Sequence, residues 1–215
     1  MLENKKIQDI RINYKQKSLD LKDVSLSPFD QFDKWFSETM KSEILEPTAF
    51  ILATADMNAK PSARALLMKG YDGSGFYFYT NYESRKGKEL AENNQASMVF
   101  FWSELERQIR IEGKVKKVLE EESYAYFKTR PFKSKVGTWA SNQSTVIDSR
   151  MTIVKKFFQY LVKFHSKEIP LPPYWGGYKL MPHTFEFWQG RENRLHDRVS
   201  YRLVKENWII ERLSP

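Results

Sequence analysis

The sequence has no cysteine and only three histidines, His165, His183 and His196. The first absence excludes disulfides, thiolate-bound zinc, iron–sulfur clusters and a thiol nucleophile. The second, with no two histidines at i, i+2 or i+4, speaks against an imidazole metal site, so no metal is expected. A cysteine-free chain fits a reducing compartment. No apolar run approaches the ~20 residues of a membrane-spanning helix. The opening MLENKKIQDI lacks the apolar stretch of a signal peptide, so the expectation is a cytoplasmic protein without a membrane partner. Neither G-x-G-x-x-G nor G-x-x-x-x-G-K-[ST] occurs, and there is no G-x-S-x-G elbow. Any anion site must therefore be built from side-chain cations.

What is present is a chain of 215 residues, 41% hydrophobic and 29% charged, which reads as an ordinary globule. The length suits one large domain or two small ones, and such a chain buries roughly 70% of its unfolded surface. The 35 Lys and Arg outnumber the 27 Asp and Glu, a net charge of +8 that points to acidic partners. Between Lys128 and Arg150 five cations (Lys128, Arg130, Lys133, Lys135, Arg150) stand against the single anion Asp148. Aromatics are abundant: 6 Trp, 11 Tyr and 15 Phe. Strands use them for packing, and flat ligands stack on them.

Residues 1–25 are polar and read as a mobile arm, leaving 26–215 as one domain. Ser27-Pro28 signals a helix start, and Phe29, Phe32, Trp35, Phe36 and Met40 recur at helical spacing. Strands are expected at Thr48–Ala55, Pro61–Gly70, Phe76–Thr80, Ala96–Trp102 and Arg107–Val118, with a hairpin at Asp72-Gly73-Ser74-Gly75. Helices are expected at Ser84–Asn94, Glu120–Thr129 and Ser149–Ser166. After Pro170, Pro172 and Pro173, strands are expected at Tyr174–Leu180, Thr184–Gln189, Arg198–Val204 and Trp208–Leu213, the last two joined over Lys205-Glu206-Asn207. Hairpin-linked strands with inserted helices imply a mainly β, α+β fold: an antiparallel barrel or sandwich with flanking helices.

Several clusters are able to carry chemistry. If Arg194-Leu195-His196-Asp197-Arg198 is extended, Arg194, His196 and Arg198 share one side. They form either an anion site or a solvated edge partnered by Asp197 and Glu192. Ser84-Arg85-Lys86 sits at a helix start, either as a phosphate seat or as an N-cap with exposed cations. Arg64 and Lys69 bracket an apolar stretch and alternate to opposite faces unless a bulge realigns them. Gln108, Arg110 and Glu112 share a strand face opposite Ile109 and Ile111, and Trp188 lies opposite Phe185 and Phe187. Tyr126, Arg130 and Ser134 combine hydroxyls with a guanidinium, a set suited to a phosphate monoester or to plain helix-end decoration. Separated cation clusters on an aromatic-rich β scaffold fit two flat, phosphate-bearing ligands better than a continuous polyanion.

These residues also carry a family resemblance. The chain from about Arg11 to Pro215 resembles the pyridoxamine 5′-phosphate oxidase family. The motifs are Arg64-Ala65-Leu66-Leu67-Met68-Lys69, Phe78-Tyr79-Thr80-Asn81, Ser84-Arg85-Lys86, Glu106-Arg107-Gln108, Ser141-Asn142-Gln143-Ser144, Pro172-Pro173-Tyr174-Trp175-Gly176-Gly177, Phe187-Trp188-Gln189-Gly190, Arg194-Leu195-His196-Asp197-Arg198 and the ending Arg212-Leu213-Ser214-Pro215. The resemblance implies an FMN-binding split β-barrel over 26–215 and a homodimer with FMN at its interface. It implies oxidation of pyridoxamine 5′-phosphate and pyridoxine 5′-phosphate to pyridoxal 5′-phosphate, with dioxygen as acceptor and hydrogen peroxide as product. By similarity, FMN contacts fall on Arg64, Ala65, Leu66, Leu67, Met68, Lys69, Tyr79, Thr80, Arg85, Lys86, Gln108, Gln143, Ser144, Trp188 and Arg198. Substrate contacts fall on Arg11, Tyr14, Lys69, Tyr126, Arg130, Ser134, Arg194, Leu195 and His196, with Arg194 and His196 as the catalytic pair. The chain departs from the family pattern at Ile12-Asn13, where a second Arg and an acidic residue are usual, and at Glu46, where Asp is often seen. The alternatives are a related split-barrel flavoenzyme acting on another aromatic, a non-catalytic binder of FMN or pyridoxal phosphate, and a nucleic-acid-binding barrel using Lys128–Lys135.

Overall fold

The computed structural model describes Tyr14 and residues 17–215. Its helices are α1 (Pro28–Met40), α2 (Arg85–Glu92), α3 (Glu120–Thr129), α4 (Phe132–Ala140) and α5 (Arg150–Lys163). Its strands are β1 (Ala49–Ala55), β2 (Pro61–Leu67), β3 (Gly70–Asp72), β4 (Gly75–Asn81), β5 (Gln95–Trp102), β6 (Arg107–Lys117), β7 (Trp175–Gln189), β8 (Asp197–Val204) and β9 (Asn207–Leu213). The hydrogen-bonded order is β2-β1-β5-β6-β7-β4-β3, with β8 pairing both β7 and β9. No helix among the described residues is long and apolar enough to cross a membrane.

Local chemistry explains most of these elements. The Ser27 hydroxyl accepts from the Phe29 N–H at 3.2 Å and Pro28 fills the first turn of α1, as expected. Phe32 and Trp35 are buried, whereas Met40, expected on the same face, is 56% exposed where the helix ends. Thr39 is buried in its place and returns its hydroxyl to the Trp35 carbonyl at 2.9 Å. The β3–β4 hairpin pairs Asp72 with Gly75 around Gly73-Ser74, as the turn residues signalled.

Four expectations need correction. The strand expected over Pro61–Gly70 stops at Leu67, and Gly70 opens β3 instead. Helix α4 was not anticipated; Pro131 occupies its N-cap and Val136 and Ala140 are buried one turn apart. The strands expected at Tyr174–Leu180 and Thr184–Gln189 are one strand, β7, running through Pro182. Beside it, a Cβ on Gly113 would meet the Met181 carbonyl oxygen at 2.2 Å, so glycine is what lets the backbones close there. The β8–β9 loop holds two residues, not three: Val204 pairs with Asn207, and Lys205 and Glu206 both take positive φ (45° and 69°). That is the backbone of the tight turn whose twist suits a hairpin.

The chain divides into two compact units. One is drawn from the chain up to Phe50, Met98–Glu112 and His183–Pro215, the other from Ile51–Ser97 and Gly113–Pro182. Strands β1, β5, β6 and β7 each contribute residues to both. The first unit holds much of the aromatic excess: Trp35 meets Phe187 edge-on at 5.3 Å and Phe32 meets Phe100 at 5.3 Å. Leu19 is buried there; its N–H donates to Asp197 at 3.0 Å and its carbonyl accepts from Arg212 at 3.2 Å. The second unit centres on Phe127, Val136, Phe164, Ile169 and Trp175, packed between α3, α4 and α5.

Candidate cofactor and substrate site

In the second unit β4 runs into the start of α2. The Ser84 hydroxyl donates to the Asn81 carbonyl at 2.6 Å and accepts from the Gly87 N–H at 3.4 Å. A Cβ on Gly87 would meet the Tyr82 carbonyl oxygen at 2.1 Å, so this close turn requires glycine. Lys86 is buried at 6% exposure, and its Nζ donates to the hydroxyls of Thr80 at 3.3 Å and Ser84 at 3.4 Å. Among the described residues no carboxylate lies within ion-pair distance of it. Burial, then the nearby Arg64 charge, lower its pKa from the usual lysine value, with Glu89 opposing them. A buried cation among hydroxyls at a helix N-terminus fits an anionic group such as the phosphate of FMN.

Beside this seat lies a cleft of about 290 Å³, lined in part by Leu66, Tyr79, Thr80, Arg130, Ser134 and Gln143. Thr80 joins the two, since its hydroxyl takes the Lys86 bond and donates to Gln143 Oε1 at 3.3 Å. Arg130 ends α3; it donates to the Thr138 hydroxyl at 2.7 Å and lies 4.7 Å over the Trp175 ring. Burial lowers its pKa, but a guanidinium stays charged. Tyr126 is absent from the cleft lining: it stacks on Tyr79 at 3.9 Å, and burial raises its pKa. Lys69 and Ser144 are exposed, Ser144 with φ 70°. On β2 Ala65 and Leu67 face outward, while Met68 is buried and turns its side chain into the core. Arg64 is half-buried and held by Glu89 at 3.2 Å; Arg85 reaches the same carboxylate at 2.8 Å.

The first unit gathers a second group. Trp188 and His196 lie 4.6 Å apart, and Tyr14 meets them edge-on at 5.8 and 5.7 Å. The Arg191 N–H donates to His196 Nδ1 at 3.1 Å, so a neutral ring carries its proton on Nε2. The segment Arg194–Arg198 is not one extended face, so the condition for Arg194, His196 and Arg198 sharing one side is not met. Glu192–Arg194 form a 3-10 turn with Asn193 and Arg194 at positive φ (56° and 62°), and β8 begins only at Asp197. Arg194 and Leu195 are exposed, and Arg194 makes no hydrogen bond or ion pair among the described residues. Arg198 is spent on Glu186 through two bonds of 2.9 and 3.1 Å, which raise its pKa, and on the Ser214 carbonyl at 2.7 Å. Gln108 is half-buried on the expected polar face of β6. Arg11 and the Ile12-Asn13 departure lie outside the described residues. The Glu46 carbonyl accepts from the Ala49 N–H at 3.0 Å at the entry to β1.

Sequence reasoning passed over Glu89, Glu186 and Thr138. Glu89 stands four residues after Arg85 on a helix, a spacing that pairs charges and was readable. Glu186 shares a strand face with Trp188, which places a carboxylate beside Arg198.

A mainly β sheet with five flanking helices among the described residues, with a buried lysine among hydroxyls beside a cleft, defines the fold class, and comparison specifies it. A pyridoxamine 5′-phosphate oxidase-related, FMN-binding protein from Nostoc punctiforme has the same fold (TM-score 0.70, 16% identity, 89% of this chain and 100% of that one). This is the FMN-binding split β-barrel. PhzG from Burkholderia lata, solved with tetrahydrophenazine-1-carboxylic acid, matches with a TM-score of 0.88 and 30% identity over 93% of this chain and 99% of its own. The family model described as pyridoxamine 5′-phosphate oxidase matches residues 36–163, and the pyridoxine 5′-phosphate oxidase C-terminal dimerisation region matches residues 175–215. The pyridoxine/pyridoxamine 5′-phosphate oxidase of Acaryochloris marina is 50% identical over 97% of this chain and 95% of its own. That of Nostoc punctiforme is 50% identical over 99% of this chain and its entire own length. The chain belongs to the pyridoxamine 5′-phosphate oxidase family. The match to the dimerisation region supports a homodimer.

Proposed function

We propose that this chain is an FMN-dependent oxidase converting pyridoxamine 5′-phosphate and pyridoxine 5′-phosphate to pyridoxal 5′-phosphate, with dioxygen as acceptor and hydrogen peroxide as product, the amine substrate also consuming water and releasing ammonia. The observation that carries the reading is two separate cations, each set beside hydroxyls, in one unit. Lys86 is buried among hydroxyls at the start of α2, and Arg130 is braced over Trp175 beside Ser134. A phosphorylated cofactor and a phosphorylated substrate require two such seats. The names of the relatives point the same way.

FMN, when bound, supplies two-electron redox chemistry that no side chain here possesses. In this reading it lies at the interface of the homodimer. Lys86 and Arg85 bind its phosphate, with Arg64, Thr80 and Gln143 beside them. Arg130 and Ser134 of the cleft lining take the substrate phosphate, and the resemblance adds Tyr126 and Lys69 from outside that lining, so that binding energy from a remote group orients the reacting carbon. In the first unit the resemblance assigns Arg194 and His196 as the catalytic pair: His196 offers its Nε2–H, and Arg194, without a hydrogen bond or ion pair among the described residues, offers a positive charge to a polar group of a ligand. Tyr14 and Trp188 offer an aromatic wall to a flat ring there.

Similarity to PhzG favours a second reading, oxidation of a different aromatic substrate. The Arg130 and Ser134 seat weighs against it, because a ligand without phosphate leaves a half-buried guanidinium without an anion. The test is to supply purified protein with FMN and follow pyridoxal 5′-phosphate and peroxide together. Equal amounts of both from either phosphorylated vitamer are expected. Peroxide from tetrahydrophenazine-1-carboxylic acid with none from the vitamers would overturn the proposal.

A further inference from the structure

The seat at the start of α2 contains a carboxylate that the proposed reaction does not use. Glu89 is 5% exposed, one turn along α2 from Arg85. Its oxygens accept from Thr54 Oγ1 at 2.5 Å, Ser62 Oγ at 2.9 and 2.7 Å, Arg64 Nη2 at 3.2 Å and Arg85 Nε at 2.8 Å. Burial alone would raise its pKa, but these hydrogen bonds outweigh burial and hold it at about 2. Glu89 is therefore a permanent anion on which β1, β2 and α2 converge.

Both guanidiniums it holds come from the cationic seat. Arg64 spends Nη1 on the Leu52 carbonyl and Thr54 hydroxyl and Nη2 on Ser62 and Glu89, which leaves its orientation little freedom. Arg85 is exposed, with its Nε tied to Glu89. Lys86 feels both neighbours, its charge disfavoured by Arg64 and favoured by Glu89. Three cations and one carboxylate leave two positive charges. A phosphate monoester carries about −1.5 to −2 at neutral pH, so the balance matches one phosphate.

We infer that Glu89 is the positioning residue of this seat: it aims the Arg64 and Arg85 guanidiniums and sets the net charge to that of a phosphate dianion. The inference rests on the reading of FMN as cofactor and assigns a role to a residue outside the ligand contacts. It is tested by titrating apoprotein with FMN and with riboflavin, which has the same ring system but no phosphate, and reading flavin fluorescence. Wild-type protein that binds neither flavin would remove the reading on which the inference stands. Given wild-type FMN binding, Glu89→Gln should weaken FMN by about tenfold, the scale of one charge-assisted hydrogen bond misplaced, and leave riboflavin within about twofold. Unchanged FMN affinity, or equal losses for both flavins, would overturn it; the latter would mark Glu89 as merely structural. Should Glu89→Gln not fold, Glu89→Asp keeps the charge but withdraws it by one methylene. That variant should lose about threefold for FMN alone, and equal flavin affinities relative to wild type would again refute the inference.

Discussion

Lys86 lies buried among hydroxyls, where burial and then Arg64 lower its pKa and Glu89 opposes them. A buried cation without a paired carboxylate costs stability unless an anion arrives. Replacing it should therefore separate binding from folding. Lys86→Met is expected to weaken FMN by about 10- to 100-fold, the loss of one or two charge-assisted bonds, while the apoprotein melts no lower than wild type. A lower apoprotein Tm would show that Lys86 is structural. Glu89 predicts an acid effect of definite sign. Its carboxyl falls from 4.5 in the unfolded chain to about 2 in the folded one. The stability it contributes is full above the unfolded value and is lost as pH falls toward the folded one. Thermal melts of Glu89→Gln should thus decline less steeply than wild type over that interval. Gly190 limits the aromatic group in the first unit, because a Cβ there would meet the Tyr14 ring at 2.7 Å and Glu106 Cβ at 3.0 Å. Gly190→Ala should raise the substrate KM several-fold as Tyr14 is displaced, with FMN affinity unchanged; an unaltered KM would remove Tyr14 from the site. At this scale the cations and hydroxyls were legible in the sequence, since each motif joins charge to turn chemistry. Their partners were not, because Glu89 and Glu186 meet them through the fold and not through a motif.

Elements were legible where punctuation was local. Ser27-Pro28 marked α1, and the Asp72–Gly75 turn marked the β3–β4 hairpin. The polar face of β6 followed from alternation, with Arg110 reaching Glu186 at 3.3 Å. Failures occurred where tertiary packing overrode a local rule. Pro182 signals a break, yet β7 continues through it beside Gly113. Arg194 and Asn193 adopt positive φ without a glycine to announce it, so the turn before β8 carried no local signal. Helix α4 follows Pro131 closely and presents only Val136 and Ala140 as buried residues, too few to set up a helical period in the sequence. The β8–β9 turn gives a direct test of backbone cost. Lys205 and Glu206 both hold positive φ, where Asn-Gly is the preferred pair. The double change Lys205→Asn with Glu206→Gly should stabilise the protein by about 1 kcal/mol and raise Tm by about 2–4 °C. No change in Tm would mean that the loop is not strained.

The net charge of +8 resolves, over the whole molecule, into distinct roles. Some cations are neutralised internally, as Arg198 is by Glu186 and Arg212 by Asp197 at 3.0 Å. Others have no carboxylate partner among the described residues, notably Lys86 and Arg130, and in the proposed reaction these take the phosphates of the ligands. The absence of cysteine agrees with redox chemistry assigned to a flavin in the proposed reaction. If the reaction is tuned to a phosphorylated vitamer, removing the phosphate from the substrate must cost rate. With FMN bound, initial rates of peroxide formation are measured for pyridoxamine 5′-phosphate and for pyridoxamine at equal subsaturating concentration. Losing the charge-assisted contacts to Arg130 and its neighbours should cost the unphosphorylated substrate about 100-fold or more. Equal rates for the two substrates would contradict the account.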